Sequence, residues 1–98
     1  MSRKIAFTRP ALADVEDAQQ WYDGKREGLG QDFLRALDAA LARVLANPDQ
    51  FPVRYTHFRR LLVRKFSYVI YYRYDRDSVV VHAVMHMARN PTLLDKRG

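Results

Sequence analysis

The sequence predicts an α+β fold: a short N-terminal strand, an antiparallel hairpin of two helices, then a three-stranded antiparallel meander. Two observations predict it. Apolar residues recur at a spacing near four through the first half of the chain, and they switch to a spacing of two after the prolines near residue 50. The alternating second half is also rich in aromatic and β-branched residues, which fit a pleated, half-buried surface. Helices gathered ahead of the strands imply a helical hairpin laid on one face of a mainly antiparallel sheet.

Lys4-Ile5-Ala6-Phe7 is short and partly apolar and reads as an early or edge strand. Thr8 can cap the helix that follows, and Pro10 falls in the first turn, where its missing N–H costs nothing. Leu12, Val15, Ala18 and Tyr22 then recur at helical spacing with Trp21 beside them, predicting a first helix over roughly 9–25. Asp14, Glu16, Asp17 and Asp23 read as its solvated face. Gly24 to Gly30 marks a turn. Phe33, Leu34, Leu37, Ala40, Leu41, Val44 and Leu45 form the stripe of a second helix, which Asn47-Pro48 ends because a residue before proline is pushed out of the helical region.

A loop from Asp49 to His57 leads to three strand candidates. They are Arg60–Arg64, Ser67–Tyr74 (SYVIYYRY) and Val79–Met87 (VVVHAVMHM), the last two joined through the polar turn at residues 75–78. Asn90-Pro91 breaks the final strand and leaves a tail with room for one helical turn. With 98 residues, the chain is expected to form a single domain over 1–98. Nearly half the residues are apolar, which suffices for a small core and argues against disorder. No apolar run is long enough to span a membrane or act as a signal peptide, and cysteine is absent, which suits a reducing cytoplasm.

Charge is more informative by location than by total. Residues 1–53 carry a balance of −1 and residues 54–98 one of +7, within an overall +6. A field concentrated in one half draws polyanions or acidic protein segments and makes their encounter salt-dependent. If alternation holds, Val79, Val81, Ala83 and Met85 face the helices together with Val69 and Tyr71. His82, Val84 and His86 would then share the open face with Tyr68, Ile70 and Tyr72, joined by Arg60 and Arg64 if Leu61 and Val63 point inward. Arginines there would grip phosphates or carboxylates, and tyrosines would stack bases. His86 near Arg89 is the best-placed proton carrier. No glycine-rich phosphate loop occurs. His82 and His86 on a strand stand about 13 Å apart, too far to share a metal, so neither a metal nor a cofactor is expected.

FTRPALADVEDAQQWY (Phe7–Tyr22), GLGQDFLRAL (Gly28–Leu37), RRLLVRKFSYVIYYR (Arg59–Arg73) and VVVHAVMHMARNP (Val79–Pro91) come in the order seen in the RelE/ParE toxin superfamily, which the chain resembles over almost its whole length. The resemblance implies a helical hairpin over a curved antiparallel sheet. It also implies a cytoplasmic growth-inhibiting toxin held in a hetero-oligomer by a cognate acidic antitoxin. Two activities occur in that superfamily. RelE-like members cleave messenger RNA on the ribosome, and ParE-like members poison DNA gyrase.

Arg89 matches a basic position of the last-strand signature, and Arg60 falls near one on the earlier strand. Tyr68 stands where RelE-like enzymes have arginine, and Asp95 about where they have a terminal tyrosine. Those departures place ParE-like action on gyrase ahead, with Arg60, Arg64, Lys65, Tyr68, Tyr72 and Arg89 as candidate target or nucleic-acid contacts. The alternative is a metal-independent ribonuclease in which His86 moves the proton and Arg89 neutralises the phosphate, assisted by Arg60 and Arg64. A third reading is a non-toxic relative that only binds an antitoxin or DNA.

Overall fold

The computed structural model describes residues 3–97, so Met1, Ser2 and Gly98 of the expected 1–98 domain lie outside the described residues. Strand β1 (Lys4–Phe7) leads into helix α1 (Arg9–Lys25), then helix α2 (Leu29–Ala46). Strands β2 (Val53–Tyr55), β3 (Phe58–Val63), β4 (Tyr68–Tyr74) and β5 (Ser78–His86) follow, and a 3-10 helix at Pro91–Lys96 closes the chain. The α+β class and the element order agree with expectation. The sheet has five strands in the order β1-β5-β4-β3-β2, antiparallel except that β1 runs parallel to β5. Strand β2 was not expected, since three residues in a polar loop carry no alternation to read. Among the described residues, no helix is long and apolar enough to cross a membrane.

Local chemistry sets the helical hairpin. The Thr8 hydroxyl accepts the Ala11 N–H as the N-cap of α1. The helices are separated only by Arg26, Glu27 and Gly28, far less than the glycine-rich stretch suggests. Gly28 turns the chain at φ 86, a left-handed conformation that side chains disfavour, and offers no side-chain cap. The cap comes from α1 instead: Asp23 accepts the Gly30 N–H at 2.7 Å. A Cβ on Gly30 would stand 2.6 Å from the Gln19 carbonyl oxygen, so glycine there permits the close helix crossing. Asp23 is therefore no idle member of a solvated face.

The sheet has two cores. Phe33, Leu37, Ala40 and Val44 of α2 and Ala11, Val15 and Ala18 of α1 pack with Leu61, Val63, Ile70, Tyr72, Val79, Val81 and Val84. On the other side Phe58, Val69, Tyr71, Ala83 and Met85 pack under Leu94 of the 3-10 helix. This corrects the expected faces. Tyr68, Ile70 and Tyr72 lie toward the helices, whereas Val69 and Tyr71 lie away from them.

The cause in β5 is a bulge. Tyr71 pairs with Ala83 and Tyr72 with Val81, so His82 is the extra residue and the side-chain alternation inverts beyond it. Val79 and Val81 face the helices as expected; Ala83 and Met85 do not, and Val84 does. In β4 the residues from Val69 to Tyr72 are all buried, as befits a strand covered on both faces, and such a run carries no facing signal.

Candidate functional site

Charged and aromatic side chains gather in three grooves. The largest, of about 660 Å³, runs between α2 and the turn after β3. Leu29, Ala36, Ala39, Ala40 and Phe66 give it an apolar floor, while Arg26, Arg35, Arg43, Arg64 and Lys65 ring it. Asp32 is the one carboxylate in its lining, and it lies 3.0 Å from Arg35 and 3.7 Å from Arg26. Lys65 adopts φ 71 in the β3–β4 turn. The arrangement suits an amphipathic acidic segment: methyl groups below, guanidinium and ammonium groups at the rim.

A second groove lies between α1 and the end of β5, lined by Asp14, Asp17, Trp21, Tyr68, His86 and Arg89. Tyr68 pairs with His86 across the strands, ring centroids 5.8 Å apart, and packs edge-on against Tyr22 and Phe33. Burial pushes the Tyr68 hydroxyl above its ordinary pKa, the Asp14 carboxylate adds to the shift, and Arg89 opposes it. The Nδ1 of exposed His86 accepts the Ala88 N–H at 3.1 Å. Trp21, 58% exposed, carries Lys25 over its ring at 4.4 Å.

Asp14 forms one wall of this groove and ties three elements. Its carboxylate accepts the Val84 N–H at 3.0 Å and binds Arg97 through both guanidinium nitrogens at 2.6 and 3.1 Å. Arg97 also donates to the His82 carbonyl, and Tyr55 donates to Asp95 at 2.6 Å. These bonds strap the 3-10 helix across the second core. The helix pattern places Asp14 on a solvated face, yet its side chain is 12% exposed.

The third groove, at the β3 edge of the sheet and lined from both of its faces, holds Arg60. The expected residues are thus divided. Tyr68, His86 and Arg89 come together, Arg64 and Lys65 join the α2 groove, and Arg60 stands elsewhere, with Arg64 on the ridge shared by the first and third grooves. Tyr72 is corrected outright. It is fully buried, its hydroxyl donates to the Pro48 carbonyl at 2.6 Å, and burial pushes its pKa up to about 12. It offers no surface to a target. Arg26, Arg35 and Arg43 were missed, although Arg35 and Arg43 stand two helical turns apart along α2 with the small Ala39 between them, a spacing legible in the sequence. Among the described residues no cluster of metal ligands occurs.

Residues 5–91 match the family described as ParE toxin of type II toxin–antitoxin system, parDE. Similar curated proteins include toxin ParE2 of two Mycobacterium tuberculosis strains, 24% identical over 97% of this chain and 91% of theirs. A solved structure described as the chromosomal ParDE TA system from P. aeruginosa superposes with a TM-score of 0.75 at 12% identity. That likeness covers 86% of this chain and 95% of the other, and at such identity it concerns the fold.

Proposed function

Because the chain belongs to the ParE toxin family of type II toxin–antitoxin systems, we propose that it is a growth-inhibiting toxin that poisons DNA gyrase and is neutralised by a cognate acidic antitoxin. The α2 groove carries this reading. Five cations face one carboxylate across an apolar floor, the complement of an antitoxin segment that alternates acidic and apolar side chains. Such a segment loses entropy as it orders, and apolar anchors with desolvated charge pairs offset that loss. The asymmetry of charge along the chain points the same way.

Gyrase is favoured over messenger RNA because a ribonuclease needs its base and phosphate clamps around one phosphodiester. Arg60 lines a different groove from His86 and Arg89, and the groove of the latter two includes the exposed carboxylate of Asp17, which repels a phosphate. The Nδ1 of His86 is already engaged by the Ala88 N–H, which leaves it less free to take a proton from a substrate. The convergence of Tyr68, His86 and Arg89 is what remains to support the ribonuclease reading. Purified toxin is expected to block gyrase supercoiling while leaving ribosome-bound message intact. Unimpaired supercoiling with cut message would reverse the assignment, and His86→Ala with Arg89→Ala would then abolish cutting.

A further inference from the structure

Strand β5 carries one histidine that neither the toxin nor the ribonuclease reading uses. His82 is the extra residue of the bulge, and its carbonyl accepts the Arg97 guanidinium at 3.1 Å. Two residues on, the Val84 N–H goes to Asp14, which holds the same Arg97 at 2.6 and 3.1 Å. The bulged segment therefore supplies both backbone groups that tie the 3-10 helix down. The His82 ring sits beside this tie, edge-on to Phe58 with centroids 5.0 Å apart, and Phe58 packs under Leu94. Its Nδ1 is buried and has no hydrogen-bond partner.

We propose that His82 is an acid-sensitive latch: on taking up a proton it releases the 3-10 helix from the outer face of the sheet. A neutral ring can leave one nitrogen unpartnered, whereas a charged ring buries an N–H donor with nothing to receive it. Arg73 from β4 and His57 from the turn before β3 disfavour a further positive charge, and the Arg97 guanidinium sits on the residue's own carbonyl. The neighbouring carboxylates are committed elsewhere. Asp14 serves Arg97 and Val84, and Asp95 accepts from Tyr55. Asp75, which shares a groove with His82, caps the N–H groups of Asp77 and Ser78. The Arg97 backbone favours the charged ring, but burial outweighs it. Nδ1 reaches water once the ring swings off Phe58 and the strap lifts. The closed form thus holds the proton more weakly than the open one, so opening grows as pH falls through about 6.5, the ordinary histidine value. Phe58, Tyr71 and Met85, buried at neutral pH, then face solvent.

Amide hydrogen exchange on the purified full chain, corrected for the intrinsic effect of pH on exchange, reads the opening. Between about pH 7.5 and 5.5, protection of the Arg97 N–H, bonded to the Leu94 carbonyl, should fall by about threefold or more; one proton limits the change to roughly tenfold per pH unit. Amides of β4 in its ladder with β3 should keep their protection. The His82 imidazole resonances should titrate with the opening and below about pH 6.5, apart from those of exposed His57 and His86. His82→Gln keeps a polar side chain that takes up no proton, and should remove the pH response while circular dichroism shows it folded. The proposal is overturned by an Arg97 amide that is unprotected at the start or whose protection ignores pH. It is equally overturned by a loss shared by the β4 amides, or by a folded His82→Gln chain that opens with the same pH dependence. Should that variant not fold, the wild-type titration decides: His82 resonances titrating at or above about pH 6.5 sink the latch.

Discussion

Replacing Asp14 by alanine should be among the most damaging single changes in the protein. The side chain is 12% exposed and its partner Arg97 13%, so the pair is largely desolvated. Removing the carboxylate orphans the Val84 N–H, at a cost of about 1–2 kcal/mol, and strands a guanidinium that keeps only the His82 carbonyl. Breaking a fully buried pair from one side costs roughly 3–5 kcal/mol. Partial water access brings this one toward the lower end, and the Asp14→Ala total is about 3–4 kcal/mol.

Arg97→Ala should cost less, about 1–2 kcal/mol, because Asp14 keeps the Val84 N–H and can draw in water. The double variant should fall near the cost of Asp14→Ala alone, a coupling of about 1–2 kcal/mol. Urea denaturation followed by circular dichroism reads these values directly. With a slope of about 1–2 kcal/mol per molar, Asp14→Ala should lower the midpoint by roughly 2 M. A loss under about 1 kcal/mol, or strictly additive single variants, would refute the strap.

Three further outcomes follow from the packing. Tyr72 keeps its proton when folded up to a pKa of about 12, against an ordinary value of 10.0. Its contribution is therefore complete below pH 10 and is lost as pH rises from 10 toward 12, an alkaline limb that Tyr72→Phe should reduce, at a cost of about 1 kcal/mol at neutral pH. Burial lowers the pKa of His82 below 6.5, with the nearby Arg97 backbone pulling the other way, so the unfolded chain takes up a proton first as pH falls. Stability should drop below about pH 6.5, and His82→Gln should flatten that acid limb in melts at pH 7.5 and 5. Leu94→Ala should cost about 2–4 kcal/mol by opening a cavity over the second core, and an effect under about 1 kcal/mol would mean that the 3-10 helix is not seated there.

How much was legible varied with the kind of signal each element carries. Helix α1 was readable to its ends because Thr8, Pro10 and the period of Leu12, Val15 and Ala18 agree. Strands β4 and β5 announced themselves through composition. Their facing did not, since VIYY is buried on both sides and a one-residue bulge at His82 reverses the alternation. The open basic face expected from a strict two-residue period therefore does not exist as drawn. Tyr72 went inward, Ala83 and Met85 went outward, and a C-terminal segment of six residues covered half of that outer surface. That covering depends on Asp14 meeting Arg97 across 83 positions, a contact with no local signature. Tyr68, His86 and Arg89 do line one groove, although it lies against α1 rather than on the open face expected.

The proposed antitoxin contact is tested most directly by growth. Cells induced for the wild-type chain should stop dividing and recover when the cognate antitoxin is co-expressed. The Arg26→Glu, Arg35→Glu variant should arrest growth equally well, because those exposed arginines lie outside the groove of Tyr68, His86 and Arg89, but should no longer be rescued. Full rescue of that variant would contradict the assignment of the α2 groove, and a wild-type chain that never slows growth would contradict the toxin reading itself.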